Sequence, residues 1–157
     1  MAKPQTAPDD VESIAKNRRA RHEYHILETW EAGIVLTGSE VKALREKRAN
    51  ITDAFGIVRD AEVFLLNMHV SPYENAVHFG HEATRTRKLL LNRREIRKMI
   101  GAVEREGLTL VPLELYFKRG RAKVVMALGK GKKLHDKRDD ARKRDDERDM
   151  ARAMRTR

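Results

Sequence analysis

Cysteine is absent from this chain of 157 residues, and only 5% of its residues are aromatic. The lack of thiols excludes disulfide bonds, thiolate metal sites and a cysteine nucleophile, and it is typical of a protein in a reducing compartment. No apolar run approaches the roughly 18 residues that a membrane-spanning helix needs. Residues 1–10 also lack the apolar segment of a secretory signal. We therefore expect a cytoplasmic protein with no membrane partner.

Charge is the most unusual property of the composition. The chain has 34 Lys and Arg against 24 Asp and Glu, which gives a formal net charge of +10. A surplus of this size favours polyanionic partners, and nucleic acid is the most common of these.

The length suits one folded domain with an appendage. Residues 1–17 show no periodicity, which predicts a flexible N-terminal arm. We expect an RNA-binding domain over residues 18–128 and a basic tail over residues 129–157.

Alternating apolar and polar residues predict short strands, with a turn at residues 31–33 and a tight hairpin connection at residues 59–62. The predicted strands cover residues 22–30, 33–36, 55–58, 63–66, 113–118 and 122–128. The stretch from residue 69 to 86 contains Pro, Asn and Gly without a period, which predicts a long surface loop.

Two capping boxes predict where helices begin. Thr37 with Glu40, and Asn92 with Glu95, have the spacing at which a side chain and a backbone amide satisfy each other. The second box is followed by apolar residues at i, i+3, i+4 and i+7, and Gly107 is expected to end that helix.

The fold class predicted from these elements is mainly β with short helices. About six strands and two to three helices suit an oligonucleotide-binding (OB-like) closed β-barrel. An open α+β sheet is the alternative.

The tail holds 12 Lys or Arg and 7 Asp or Glu, and thus half of the net charge. It has too few apolar residues to offset an ordering cost of about 1–2 kcal/mol per residue, so we expect disorder in the free protein. Opposite charges four residues apart, such as Asp139 with Lys143 and Asp140 with Arg144, make it conditionally helical from about Asp139 onward.

Three cations precede the second capping box and are candidates for phosphate binding: Arg85, Arg87 and Lys88. Arg forks and helix N-termini both bind phosphate. The alternative is a solvated loop in which Asn92 only caps the helix.

Tyr24 and Tyr116 are candidates for stacking on RNA bases, although packing in the core or at its rim is the alternative for each. Six histidines raise the possibility of a metal site, and His78 with His81 is the closest pair. Without Cys or an HExxH motif we expect no metal.

No motif indicates catalysis. Residues 129–133 lack the GxxxxGK[ST] frame of a nucleotide-binding loop, and no convergent acid/base pair is present. We expect a protein that is not an enzyme and needs no cofactor.

Four blocks of sequence together resemble the small protein B family, and they occur in the family's order. The blocks are residues 17–24, residues 31–33 with 38–42, residues 84–92, and residues 130–138. The resemblance implies an oligonucleotide-binding barrel that holds the transfer-RNA-like part of transfer-messenger RNA and brings it to stalled ribosomes. It implies no catalysis, and we expect a monomer.

The resemblance also implies roles for individual residues. Glu31, Leu90, Asn92 and Lys123 match the positions that contact the RNA, and His22 and Tyr24 lie in a block expected on the same surface. The tail is expected to enter the decoding centre and the empty message channel of the ribosome, forming helix there. The matching tail residues are Lys130, Lys132, Lys133, His135, Asp136, Lys137 and Arg138.

Two rival functions remain on sequence grounds. A general binder of single-stranded RNA would not distinguish transfer-messenger RNA from bulk transfer RNA. An RNA-processing enzyme would cleave RNA in the presence of magnesium.

Overall fold

The computed structural model describes residues 11–72 and 82–155. This part of the chain is mainly β, with nine strands and four helices. The strands are β1 (Val11–Lys16), β2 (Tyr24–Ile34), β3 (Ala49–Asn50), β4 (Phe55–Arg59), β5 (Glu62–Leu66), β6 (His69–Val70), β7 (Arg87–Leu90), β8 (Thr109–Lys118) and β9 (Arg121–Gly131). The helices are α1 (Arg18–Glu23), α2 (Gly38–Arg45), α3 (Arg93–Glu106) and α4 (Leu134–Arg155).

Seven antiparallel strands form the main sheet, in the order β1-β8-β4-β5-β7-β2-β9. Strand β9 pairs with β2 on one edge and with β8 on the other. Because β9 covers one edge of β8 from Thr109 to Lys118, β1 and β4 share the opposite edge of β8. Strands β3 and β6 form a separate two-stranded sheet.

The turn predicted at residues 31–33 is wrong. Glu31, Ala32 and Gly33 continue β2 and pair with Val125, Val124 and Lys123 of β9. These pairings satisfy the backbone groups without a turn, and Gly33 has partners on both sides, on β7 and β9. The lack of a side chain at Gly33 serves another purpose. A Cβ at Gly33 would lie 3.2 Å from the Cβ of Leu90 on β7, so glycine allows the two strands to approach closely.

One core lies under the main sheet and is covered by α2 and α3. Alternate residues along β2, β8 and β9 point into this core. Leu44 of α2 and Met99 of α3 also enter it, and neither side chain has any exposed surface. A smaller apolar cluster, built on Ala20, Val111, Leu113 and Ala127, packs α1 against β8 and β9.

Both predicted capping boxes are confirmed. The side chain of Thr37 accepts from the amide of Glu40, and that of Asn92 accepts from the amide of Glu95. Each Glu side chain in turn accepts from the backbone amide of its capping residue. Gly107 ends α3 in the left-handed conformation, with φ of 63°. The hairpin of β4 and β5 is also confirmed, and Asp60 and Ala61 turn the chain with positive φ.

The prediction of a flexible arm through residue 17 is wrong from Val11 onward; residues 1–10 lie outside the described part. Val11–Lys16 pairs with β8, Ile14 is buried, and Ser13 Oγ donates to Glu114 Oε1 at 3.0 Å. The reason is tertiary: an otherwise open edge of β8 offers backbone partners about 100 residues away along the chain.

The boundary of the tail also differs from the prediction. Gly129, Lys130 and Gly131 belong to β9 and pair with Ile26, His25 and Tyr24. The tail helix α4 begins at Leu134 rather than near Asp139. Outside the tail the described chain has three helices, α1, α2 and α3, which agrees with the two to three predicted there. None of the helices within residues 11–72 and 82–155 is long and apolar enough to cross a membrane.

Candidate nucleic-acid interface

A row of residues crosses four neighbouring strands on the outer face of the sheet. Leu90 of β7 pairs with Gly33 of β2, Gly33 pairs with Lys123 of β9, and Lys123 pairs with Tyr116 of β8. We call these four positions the strand row. It combines an apolar side chain, a site of close backbone approach, a cation and an aromatic ring.

Glu31 lies two residues from Gly33 and therefore projects on the same face as the strand row. The hydroxyl of Tyr116 donates to Glu31 Oε2, and Lys118 Nζ lies 3.3 Å from the same oxygen. The Tyr116 hydrogen bond is the main cause of a lowered pKa of Glu31; burial opposes it, and Lys118 and Lys123 add to it. The carboxylate is thus ionised and fixed in orientation, with part of its surface exposed.

Tyr116 is bound to this carboxylate rather than free to stack on a base. It is only 7% exposed, and burial, followed by the hydrogen bond to Glu31, raises the pKa of its hydroxyl. Of its two predicted uses, packing at the rim is the one that the structure shows. Its hydroxyl has the additional task of orienting Glu31.

Leu90 is the end of the strand row nearest α3, and Asn92, two residues later, caps that helix. Leu90 is 53% exposed, so it presents an apolar surface beside Gly33. Asn92 Oδ1 accepts from the amide of Glu95 at 3.0 Å, whereas no described residue accepts from its Nδ2 group. A groove of about 310 Å³ lies between Leu90 and Lys123 and is floored by Ile34 and Phe117.

The prediction that Arg87 faces phosphate is wrong. Its side chain is completely buried, and its Nε donates to Glu40 Oε2 at 2.5 Å. Further bonds run to the carbonyl oxygens of Met68 at 2.8 Å and Arg85 at 2.9 Å. Every donor that it directs inward meets a protein acceptor, so Arg87 holds the core together.

Arg85 shares the same buried carboxylate. Its Nη2 donates to Glu40 Oε1 at 2.6 Å and to the carbonyl of Val35 at 3.2 Å, and its side chain remains 33% exposed. Burial raises the pKa of Glu40, but hydrogen bonds from Arg85 and Thr37 and the charge of Arg87 outweigh this and lower it overall. Arg85 is therefore also mainly structural.

Lys88 is 42% exposed and lies 2.8 Å from Glu62 Oε1. Exposed pairs of this kind contribute little to stability and exchange partners readily. Of the three cations predicted to face phosphate, Lys88 is the one whose charge remains accessible at the surface.

His22 and Tyr24 do not lie beside the strand row. His22 is exposed on α1, and Tyr24 begins β2, nine residues before Gly33 and about 30 Å away along an extended strand. Tyr24 is half-buried over Gly129, where a Cβ would lie 3.0 Å from its own Cβ. Tyr24 packs against the smaller apolar cluster together with Val125, the partner of Glu31 on β9. That His22 and Tyr24 share an RNA-binding surface with Glu31 therefore stays a prediction.

The start of β2, around Tyr24 and His25, anchors the tail. Lys132 Nζ donates to the carbonyl of Arg21 at 2.8 Å and to the carboxylate of Asp140, and His25 Nε2 lies 3.4 Å from Asp136 Oδ2. Asp140 was predicted to pair with Arg144, but its side chain pairs with Lys132. That hydrogen bond is the main cause of the lowered pKa of Asp140.

The other tail residues lie around this anchor. Lys130 and Lys133 are exposed, Lys137 is half-buried and Arg138 is exposed. His135 belongs to α4. The structure thus places the strand row and the root of the tail at opposite ends of β2.

One residue of the interface and one buried residue were missed by sequence reasoning. Lys118 was not considered, although it alternates with Tyr116 along β8 and so projects on the same face. Glu40 was interpreted only as a capping residue. Its burial could not be read from spacing, because it depends on Arg85 and Arg87 lying 45 and 47 residues away.

The histidine pair considered for metal, His78 and His81, lies outside the described residues. Among the residues that the structure describes, no group of three His, Asp or Glu could hold a metal ion.

Comparison with known proteins gives a consistent result. Residues 14–156 match the family model described as SmpB protein. The SsrA-binding protein of Nostoc sp. (strain PCC 7120) is 59% identical over 90% of this chain and 92% of the relative, and that of Desulforamulus reducens is 52% identical over 100% and 98%. A solved chain described as "tmRNA-SmpB: a journey to the center of the bacterial ribosome" has a TM-score of 0.64 and 50% identity, and the match covers 76% of this chain and 85% of that one. The chain belongs to the SmpB family.

Proposed function

We propose that this protein binds transfer-messenger RNA and acts with it on stalled ribosomes in trans-translation. The observation that carries the proposal is the strand row, in which Leu90 and Lys123 flank Gly33; Glu31 lies two residues from Gly33, and Asn92 two residues from Leu90. The four residues other than Gly33 are the ones that the family resemblance assigned to RNA contact. The names of the relatives, SsrA-binding proteins, and the solved complex of tmRNA with SmpB support the same function.

The chemistry of the strand row suits a folded RNA surface. Lys123 and Lys118 supply cations for phosphate, and Leu90 supplies an apolar contact for a base or ribose. Glu31, ionised and oriented by Tyr116, accepts hydrogen bonds from a base amino group or a 2′-hydroxyl. A carboxylate in this position favours particular nucleotides over bare phosphate and so supports selective binding.

For the fold, we propose an OB-like closed barrel. The support is the circuit of pairings, which runs from β8 through β4, β5, β7, β2 and β9 and returns to β8. The bulges in β2 and β8 provide the curvature that closure needs.

We assign the ribosome contact to the tail. Helix α4 is about 33 Å long at 1.5 Å per residue, its far part is exposed on all sides, and it is rich in both charge signs. Such a helix can enter a channel lined by phosphate. This role places the protein in the cytoplasm and gives it no reaction of its own.

Competition between RNAs tests the proposal. Labelled transfer-messenger RNA is bound to the pure protein at a fixed salt concentration and challenged with bulk transfer RNA or with unlabelled transfer-messenger RNA. We expect at least about 100-fold preference for the latter, because specific RNA contacts add to the salt-dependent attraction. Equal competition would show a general RNA binder, and cleavage of the label with magnesium would show an enzyme.

A further inference from the structure

A second groove lies on the other side of Leu90 from the groove beside Lys123. It runs between helix α3 and the Asp60–Ala61 turn of the β4–β5 hairpin, and its volume is about 510 Å³. Leu90 lines both grooves. We call this second one the α3 groove. It adjoins the strand row through Leu90, and none of the roles assigned so far uses it.

One wall of the α3 groove is cationic. Arg93 and Arg97, four residues apart on α3, both line it and are both exposed, and neither forms an ion pair with a described residue. Lys98 on the same helix differs, since its Nζ lies 2.8 Å from Glu28. Like charges at this spacing repel, and a cation in the first turn opposes the helix dipole. The two arginines therefore do not stabilise α3, and an anion between them would relieve both conflicts.

The floor of the α3 groove is apolar. Leu91, Ile96 and Ile100 line it and are each half-buried. Its volume is within the range of about 300–1,000 Å³ that holds small ligands. An apolar floor beside paired cations suits a planar base attached to a phosphate, because the ring covers the floor while the phosphate reaches the rim.

The opposite wall is acidic. Asp60 is exposed and forms no ion pair with any described residue, whereas Glu62 binds Lys88 at 2.8 Å. A carboxylate repels phosphate but accepts from a base amino group or a 2′-hydroxyl. An acidic peptide would bind the arginines but be repelled by Asp60. A nucleotide can bind the arginines through its phosphate and Asp60 through its base or ribose.

We propose that the α3 groove takes one unpaired nucleotide of the bound RNA, with its phosphate at Arg93 and Arg97 and its base edge or 2′-hydroxyl at Asp60. This inference rests on the proposed function, because it extends the strand row across Leu90 to the next nucleotide of the same RNA. It makes α3 and the hairpin turn a second contact that selects for an unpaired base.

A pair of double variants tests the cationic wall. Arg93→Gln with Arg97→Gln removes two charges from the groove; Arg45→Gln with Arg94→Gln removes two exposed charges that do not line it. Binding of transfer-messenger RNA is measured over a series of salt concentrations. We expect the groove variant to bind about tenfold more weakly. The dependence of log K on log salt should become less steep by about 0.7–0.9, the contribution of the single phosphate that the two arginines hold. The control variant should change the slope by less than half as much.

Asp60→Asn tests the acidic wall by the sign of its effect. Removing a negative charge from an RNA-binding protein ordinarily strengthens binding. If Asp60 accepts from the nucleotide, binding should instead weaken, by about threefold or more, because an amide is a poorer acceptor than a carboxylate. Asn also tolerates the positive φ of 51° at this position, so the turn should survive.

The outcomes separate this inference from the proposed function. Failure of the unchanged protein to prefer transfer-messenger RNA would overturn both. Preserved preference with equal affinities and slopes for the two double variants would overturn the α3 groove alone. Tighter binding by Asp60→Asn would refute the contact to the base or ribose. Unchanged RNA binding with lost ribosome rescue in the groove variant would assign the groove to a protein partner instead.

Discussion

Glu40 has no exposed surface and binds two arginines, of which Arg87 is completely buried and Arg85 is partly exposed. Replacing Glu40 by Gln leaves the guanidinium of Arg87 buried beside an uncharged group. Breaking a buried ion pair in this way costs about 3–5 kcal/mol. We expect a loss of this size in the free energy of unfolding, measured by urea denaturation. Glu62→Gln, which breaks the exposed pair with Lys88, should cost less than about 1 kcal/mol.

The same carboxylate makes stability depend on pH. Because the pKa of Glu40 is lower in the folded protein than its ordinary value of 4.5, its contribution is fully present above that value. It is lost as the pH falls through the folded pKa, where the carboxyl becomes protonated. We expect urea midpoints measured between pH 7 and pH 3 to fall below about pH 4.5. Glu40→Gln should flatten this fall, and an equally steep fall in the variant would place its origin elsewhere.

Tyr116 orients Glu31, and removing its hydroxyl should loosen the RNA contact without unfolding the sheet. We expect Tyr116→Phe to bind transfer-messenger RNA about 3–10-fold more weakly, a loss typical of one hydrogen bond to a charged group. Tyr24→Phe is the matched control at the opposite end of β2 and should bind normally. Equal effects of the two substitutions would mean that Glu31 needs no orientation by Tyr116.

At the scale of elements, the β4–β5 hairpin carries a strained residue. Ala61 has φ of 58°, which costs an ordinary residue about 1–2 kcal/mol and costs glycine little. We expect Ala61→Gly to stabilise the protein by about 0.5–1 kcal/mol in urea denaturation. Ala102→Gly, in the middle of α3, should destabilise it by about 1 kcal/mol. Destabilisation by Ala61→Gly would show that the turn relaxes more easily than its dihedral angles indicate.

At the scale of the whole molecule, the RNA surface and the tail root occupy opposite ends of β2, so the two should be separable. Truncation after Lys133 removes α4 but keeps all of β9. We expect the truncated protein to bind transfer-messenger RNA within about twofold of the full chain and to lose ribosome rescue in a reconstituted tagging reaction. Loss of RNA binding together with rescue would contradict this division.

Truncation after Leu128 tests the corrected boundary of the tail. It also removes Gly129–Gly131, which pair with the first residues of β2, and Gly129 packs against Tyr24. We expect this shorter protein to unfold at a lower urea concentration than the one ending at Lys133, because the first three residues of β2 lose their backbone partners on β9. Identical midpoints would show that these three residues belong to the tail after all.

Local sequence determined the elements whose signals lie within a few residues. The capping boxes of α2 and α3 were readable because cap and partner are three positions apart, and the β4–β5 and β8–β9 hairpins because two alternating runs flank a short turn. The basic charge and the matched blocks determined the class of partner. Glu31, Leu90, Asn92 and Lys123 were named through the family resemblance of the sequence, and their proximity followed once the strands were paired.

Only the tertiary structure decided the features that depend on distant partners. It placed Arg87 in the core beside Glu40, drew Val11–Lys16 onto the edge of β8, and kept Glu31–Gly33 within a strand. The physical reason is common to all three: hydrogen bonds and buried charges are satisfied by whatever group the fold brings near, and that group is dozens of residues away in the sequence.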